Sequence, residues 1–260
     1  MANLTIVMYH SVSATVDPYT VSPQAFRRQI EFITNTYPVV RLKDVSRHVL
    51  SDDGRSVVIT FDDAFADFLE SAFPVLAERS IPSTLFVPTA HLGGWNSWDR
   101  EMPAIARKRV MSTQEMCRLC ATGLVDVGSH TVDHRNMRGL SSIDMHTQAA
   151  VSKRFLEDAL EAPIEMFSYP YGQRDNFSSR TSTVLSEAGY RIAVTTCWGT
   201  HNSTRDLLTL RRISFTEHDD LSTIRAKIEG RYDWLGVKES LGYAWRSSVD
   251  RLRPRWERTL

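Results

Sequence analysis

Short β-branched runs alternate with longer amphipathic ones along most of this chain. LTIVMY (4–9), RSVVITF (55–61), STLFVP (83–88), LVDVGSH (124–130), IEMFSY (164–169) and YRIAVTT (190–196) read as strands. Between them, residues 22–37, 66–80, 112–123, 141–160 and 178–189 carry helical periodicity. Ser22 before Pro23, Ser112, and Ser141 or Ser142 stand where helices start. Gly123 and Gly189 stand where helices would end in a left-handed residue. Strand-then-helix repetition predicts an α/β fold, with parallel strands covered by helices in a barrel or a doubly wound sheet. No linker or fixed-period repeat divides the chain. The expectation is one domain over residues 1–218, with residues 219–260 a helical extension packed on it.

Composition narrows the function classes. At 260 residues, 42% hydrophobic and 24% charged, the chain can bury a large core. Lys plus Arg and Asp plus Glu are both 31, so no global field recruits nucleic acid. No basic n-region precedes LTIVM, no run approaches the roughly 18 apolar residues of a spanning helix, and three cysteines form no disulfide framework. The expected location is cytoplasmic.

Three strand-like runs end in groups suited to catalysis: His10 after the first, Asp62 and Asp63 after the second, and His130 after the fourth. In a β/α barrel, working residues lie at such C-terminal strand ends. Two carboxylates that converge there repel, and leaving both ionised requires a nearby cation. A helix N-cap is the competing explanation of the pair. His130 and His134, spaced to share one turn, can ligate one divalent metal, with Asp63 as a third ligand. No Glu follows His130, so the HExxH pattern does not apply.

The stretches TFDDA, SHTVDH and YPYG resemble the first three motifs of the polysaccharide deacetylase family, the NodB homology domain. The likeness covers most of residues 4–215. It implies a distorted (β/α)7 barrel that removes acetyl groups from sugars with a divalent metal. Carried over, Asp62 is the general base, and Asp63, His130 and His134 are the metal ligands. The backbone N–H of Tyr171 faces the oxyanion, next to Pro170 in the substrate cleft. MYHSV resembles the circularly permuted branch, typified by poly-N-acetylglucosamine deacetylases, which makes His10 the general acid. The metal is expected to be zinc, with cobalt, nickel and manganese open. A metal-dependent N-deacetylase of an amino sugar in a surface polysaccharide or its precursor is therefore the leading expectation. Formyl in place of acetyl, a carbohydrate-binding pseudoenzyme and a non-haem iron oxygenase are the competing ones.

The pattern departs from the family at Ser168, where an arginine that orients the catalytic aspartate usually stands. Arg212, in LLTLRRIS, is the candidate replacement, against the alternative of a surface residue. Trp95 and Trp98, in LGGWNSWD, could stack on a sugar face or merely pack their loop. Cys117 and Cys120 form a C-x-x-C expected to lie in a helix core. Residues 225–258 hold nine basic and five acidic residues interleaved with tryptophans. Such a helix could touch a membrane surface and a lipid-linked substrate, although docking on its own domain is the favoured expectation.

Overall fold

The structure, a computed structural model, describes residues 4–45, 54–99, 101–102, 104–203 and 206–252. The strands are β1 (Leu4–Tyr9), β2 (Ser11–Val12), β3 (Thr20–Val21), β4 (Ser56–Phe61), β5 (Ser83–Val87), β6 (Val125–Ser129), β7 (Met166–Ser168), β8 (Ile192–Trp198) and β9 (Leu210–Ser214). The helices are α1 (Pro23–Thr36), α2 (Phe73–Ala77), α3 (Thr113–Ala121), α4 (Ser142–Leu160), α5 (Ser179–Glu187), α6 (Leu221–Ile228) and α7 (Trp234–Leu252). Seven strands close a barrel in the order β1, β4, β5, β6, β7, β8, β9, and β2 pairs with β3 apart from it. Every pairing between neighbouring strands is parallel, including the closing one between β1 and β9 at Val7–Ile213 and Met8–Ser214.

Period-two alternation sorts the side chains into two cores. Leu4, Ile6, Val58, Phe86, Met166, Ile192, Val194 and Leu210 form one buried cluster inside the barrel. Val7, Tyr9, Val57, Ile59, Phe61, Leu85 and Val87 face outward into the larger cluster shared with the helices. Gly128 belongs to the inner set because a Cβ there would stand 2.5 Å from the Phe86 ring. Counting on in twos from Leu4 and Ile6 reaches Met8 and then His10, and from Val58 reaches Thr60 and then Asp62. From Leu210 it reaches Arg212, and from Gly128 it reaches His130. The polar residues at the strand ends therefore continue the inward-facing rows of an apolar barrel.

The helices form as their caps dictate. The hydroxyls of Ser22, Ser112, Ser141 and Ser178 accept from the backbone N–H three residues on. Two elements differ from the sequence pattern. The expected helix at 66–80 begins as a π-helical turn, Phe68–Ala72, before α2. Pro74 lies at the junction and donates no backbone hydrogen bond, which favours this irregular start. The closing strand β9, LRRIS, is hidden in the sequence by its two arginines. Cys117 and Cys120 pack against the main core from α3, as expected. Ile224 and Ile228 of α6 belong to that same core, and Trp198 N–H donates to Glu239 of α7 at 3.1 Å. Residues 253–260 of the expected extension lie outside the described residues. Among the described residues, no helix is long and apolar enough to cross a membrane.

Candidate active site

Asp62 and Asp63 are adjacent in sequence but owe their convergence to a turn. Asp62 follows β4 on the inward row, and at Asp63 and Ala64 the chain adopts φ of 70° and 51°. That left-handed pair swings the second carboxylate back toward the barrel mouth instead of to the outer face. There Asp63 Oδ1 lies 3.4 Å from His130 Nε2 and 3.2 Å from His134 Nε2. The three ligand atoms all lie within 4.8 Å of one another, and all three residues are buried.

His130 is oriented by its other nitrogen, since Nδ1–H donates to the Ser168 carbonyl at 2.7 Å. This fixes the tautomer with the Nε2 lone pair toward Asp63. His134 lies on the loop after β6, where Thr131 and His134 have φ of 69° and 60°. Gln148, a buried residue of α4, accepts from the N–H groups of Val132 and Asp133 through one Oε1. Thr131 Oγ1 accepts from His134 N–H at 2.9 Å. The donor set fits a divalent metal: two imidazole nitrogens and one carboxylate, with Asp63 Oδ1 buried and without a hydrogen-bond partner among the described residues.

Asp62 has the opposite surroundings. Arg212 Nη1 donates to its Oδ1 at 2.9 Å and Nη2 to its Oδ2 at 2.6 Å, a bidentate pair. The guanidinium is wholly enclosed: Nε donates to Thr195 O at 2.8 Å, Nη1 to Thr60 Oγ1 at 3.2 Å and Nη2 to Ser168 Oγ at 3.1 Å. Ser168, where the family usually carries arginine, thus contributes one wall of the cradle for an arginine from β9. Burial works to raise the Asp62 carboxyl, but Arg212 overrides it, helped by His130 and His10, and holds it below the usual carboxylate range.

His10 Nε2 lies 4.0 Å from Asp62 Oδ2. Burial lowers this imidazole from its ordinary value, with Asp63 and Asp62 pulling the other way. The chain beyond it is tied down by Asp67, whose carboxylate accepts from Ser11 Oγ–H at 2.5 Å and from Val12 N–H at 3.3 Å.

These groups share one cavity of about 890 Å³, lined among others by His10, Asp62, Asp63, His130, His134 and Tyr171. Tyr171 has φ 60°, its carbonyl accepts from Thr196 Oγ–H at 2.6 Å, and its ring meets His134 edge-on at 4.9 Å. Trp98 also lines the cavity, stacked on His134 with centroids 4.6 Å apart. Trp95 does not line it; the exposed ring lies under the Arg107 guanidinium at 4.3 Å. Pro170 is buried and is not part of the lining either.

A family model described as polysaccharide deacetylase matches residues 50–193, more than half of the chain. The chain belongs to the polysaccharide deacetylase family. YxkH of Bacillus subtilis (strain 168) is 26% identical over 232 residues, covering 88% of this chain and 77% of that protein. The poly-beta-1,6-N-acetyl-D-glucosamine N-deacetylase of Staphylococcus aureus (strain MRSA252) is 27% identical over 177 residues, 64% of this chain. That match spans 58% of the staphylococcal enzyme's length. The structure of IcaB from Ammonifex degensii superposes with a TM-score of 0.73 at 22% identity, covering 88% of this chain and 98% of that one. The deacetylase neighbours share the seven-stranded β/α barrel seen here.

Several residues that build the site carry no motif. Gln148 and Gln29 do carry a signal, because each is a polar residue on the apolar stripe of its helix. Met145, Gln148, Ala149, Ser152 and Leu156 are the buried residues of α4. On α1, Gln29 Oε1 accepts from the Tyr9 hydroxyl at 3.0 Å, just before His10. Lys108, buried in an ion pair with Asp17, joins the Trp98 loop to the segment after β2. Nothing in the sequence pairs those two charges.

Proposed function

We propose that this chain is a divalent-metal-dependent hydrolase that removes an N-acyl group, acetyl above all, from an amino sugar of a surface polysaccharide or its precursor. One observation carries the reading. A three-ligand cluster of Asp63, His130 and His134, an arginine-held carboxylate, Asp62, and an imidazole, His10, meet in one cavity. The staphylococcal relative, named for cleaving the N-acetyl group of a β-1,6-linked glucosamine polymer, supports the substrate class.

Asp63, His130 and His134 would hold the metal, zinc being the first choice for this N,N,O set. When bound, such an ion acidifies a water and polarises the acyl carbonyl. Asp62 is the general base in this scheme. Arg212 keeps it ionised and fixes both oxygens, so it takes the proton of the attacking water without reorienting. Arg212 itself, wholly enclosed, acts on Asp62 and not on the sugar. The amine departs only when protonated: the proton that Asp62 takes from the water passes to His10, facing it across 4.0 Å, and His10 hands it to the leaving nitrogen. The backbone N–H of Tyr171 is assigned to the developing oxyanion. A cytoplasmic site of action remains part of the proposal, and cell fractionation checks it.

The test uses purified full-length chain, stripped with a chelator and reloaded with zinc, cobalt, nickel or manganese. Acetate release from β-1,6-linked N-acetylglucosamine oligomers is the expected result, lost with the chelator. Formate release from the N-formyl analogue, with no acetate, would reassign the acyl group. Release of neither product under any metal sinks the proposal.

A further inference from the structure

His130 and His134 are unequal. A metal-bound histidine normally donates its second ring N–H to a carboxylate, a carbonyl or water, which sets its orientation. His130 does so through Ser168 O. His134 Nδ1 is buried and has no hydrogen-bond partner among the described residues. Rings take the place of that acceptor. The Trp98 indole lies nearly parallel to the imidazole, centroids 4.6 Å apart at 22°, and the Tyr171 ring makes a T-shaped contact with it at 4.9 Å and 75°.

Trp98 is itself held firmly. Its ring lies near-parallel to Phe65 at 6.2 Å and 14°, and His91 meets it at 4.6 Å and 67°. Neighbouring Asn96 is buried and locks the loop, donating to Asp99 Oδ2 at 3.1 Å and to Ala106 O at 3.0 Å, and accepting from Lys108 N–H. These contacts hold the indole in place against His134.

We infer that Trp98 is a positioning residue for the metal site, orienting the ligand His134 by stacking in place of the usual hydrogen bond. The inference rests on the reading of Asp63, His130 and His134 as metal ligands. An imidazole that donates electron density to a cation becomes electron-poor. The negative face of an indole attracts such a ring, and does so better than phenyl, while an aliphatic side chain has no such face. Stacking therefore favours the metal-binding orientation, and the predicted order of metal affinity is Trp, then Phe, then Leu at position 98.

The experiment titrates cobalt into chelator-stripped full-length protein, following the visible d–d bands, with thermal melts in chelator to verify folding. Trp98→Leu is expected to weaken cobalt binding about 10- to 100-fold, the range for losing a residue that orients a metal ligand. Trp98→Phe is expected to fall between that variant and the unaltered chain. Trp234→Leu, an exposed tryptophan on α7, is expected to change nothing. Trp98→Met, which fills irregular space without a ring, replaces the leucine variant if the latter does not fold. Equal cobalt affinity in the Leu, Phe and unaltered chains, with a raised KM for glycan in the Leu variant, would make Trp98 a sugar platform and overturn the inference. Equal weakening in the Leu and Phe variants would overturn stacking as its basis. Failure of the unaltered chain to bind cobalt removes the metal reading as well, which separates the two failures.

Discussion

Asp62 and His134 are both buried, at 1% and 6% exposure, yet they are held by different means. Asp62 lies on an inward row of the barrel, gripped at both oxygens by a guanidinium that reaches across from β9. His134 lies on a loop of left-handed turns, steadied by a glutamine amide, a threonine hydroxyl and aromatic faces. The proton-transfer side is thus built from strand register and fixed charge, and the ligand side from short polar anchors and packing. Charge in a low-dielectric interior is costly to leave unpaired, whereas packed rings and loop anchors give way by degrees. The first side should fail abruptly on substitution, and the second gradually.

Asp62→Asn tests the abrupt side most directly. Loss of a general base typically lowers turnover roughly 10²- to 10⁴-fold, and cobalt binding by the three ligands should persist. Acetate release alongside a cobalt titration checks both; loss of cobalt binding would mean that the two sides are not separable. Arg212→Met comes next. It strands a buried carboxylate, so unfolding in denaturant should show a loss of about 3–5 kcal/mol, with activity falling as Asp62 is freed to protonate and turn. A variant as stable as the parent would break the comparison, because Arg212 would then not be what fixes Asp62.

Gln148→Ala addresses the gradual side. Its Oε1 is the shared acceptor for Val132 and Asp133 N–H, and its removal should let the His134 loop drift. Expected is a cobalt affinity roughly 10-fold weaker, at the mild end for an outer-shell loss. Turnover at saturating metal should stay near the parental value. A turnover defect as deep as that of Asp62→Asn, at saturating metal, would show that the loop positions more than the ligand.

The same division governs what the sequence discloses. Strand rows repeat every second residue, so β1, β4 and β6 with the groups that follow them are visible in the pattern, as are the capped helices. The barrel's closing strand is not, because Arg211 and Arg212 interrupt its apolar run. Arg212 is 1% exposed only because its charge is answered 150 positions away in sequence. The loop side discloses ligand types but not their support. Stacking of Trp98 on His134 depends on how two loops meet in space, and the sequence pattern alone does not distinguish sugar stacking from loop packing for that tryptophan. The turn at Asp63 and Ala64 is equally silent, since neither residue is a glycine that would announce a positive φ.

The mildest perturbation lies where the Trp98 loop rejoins the scaffold. Ala66 N–H donates to Arg109 O and Met111 N–H donates to Ala64 O, so residues 109–111 brace the turn that carries Asp63. Arg109 is in turn clamped by Glu115, whose carboxylate accepts from Nη1 and Nη2 at 2.8 and 3.0 Å and also from Ser112 N–H. Arg109 foremost, then Ser112, hold the Glu115 carboxyl down to about 2 against burial, from an ordinary 4.5. A depressed carboxyl contributes stability that is fully present above pH 4.5 and drains away as pH falls toward 2. The side chain is 26% exposed, so solvent screening leaves the contribution at about 1 kcal/mol. The stability difference between the parent and Glu115→Gln should therefore be about 1 kcal/mol at pH 7 and shrink toward zero near pH 2, read from denaturant midpoints across pH. Because the clamp lies on the loop side, the Asp62–Arg212 pair should not register it, and at pH 7 Glu115→Gln should weaken cobalt binding slightly while sparing turnover at saturating metal. A turnover loss there, with cobalt affinity intact, would show that the two sides are braced in common.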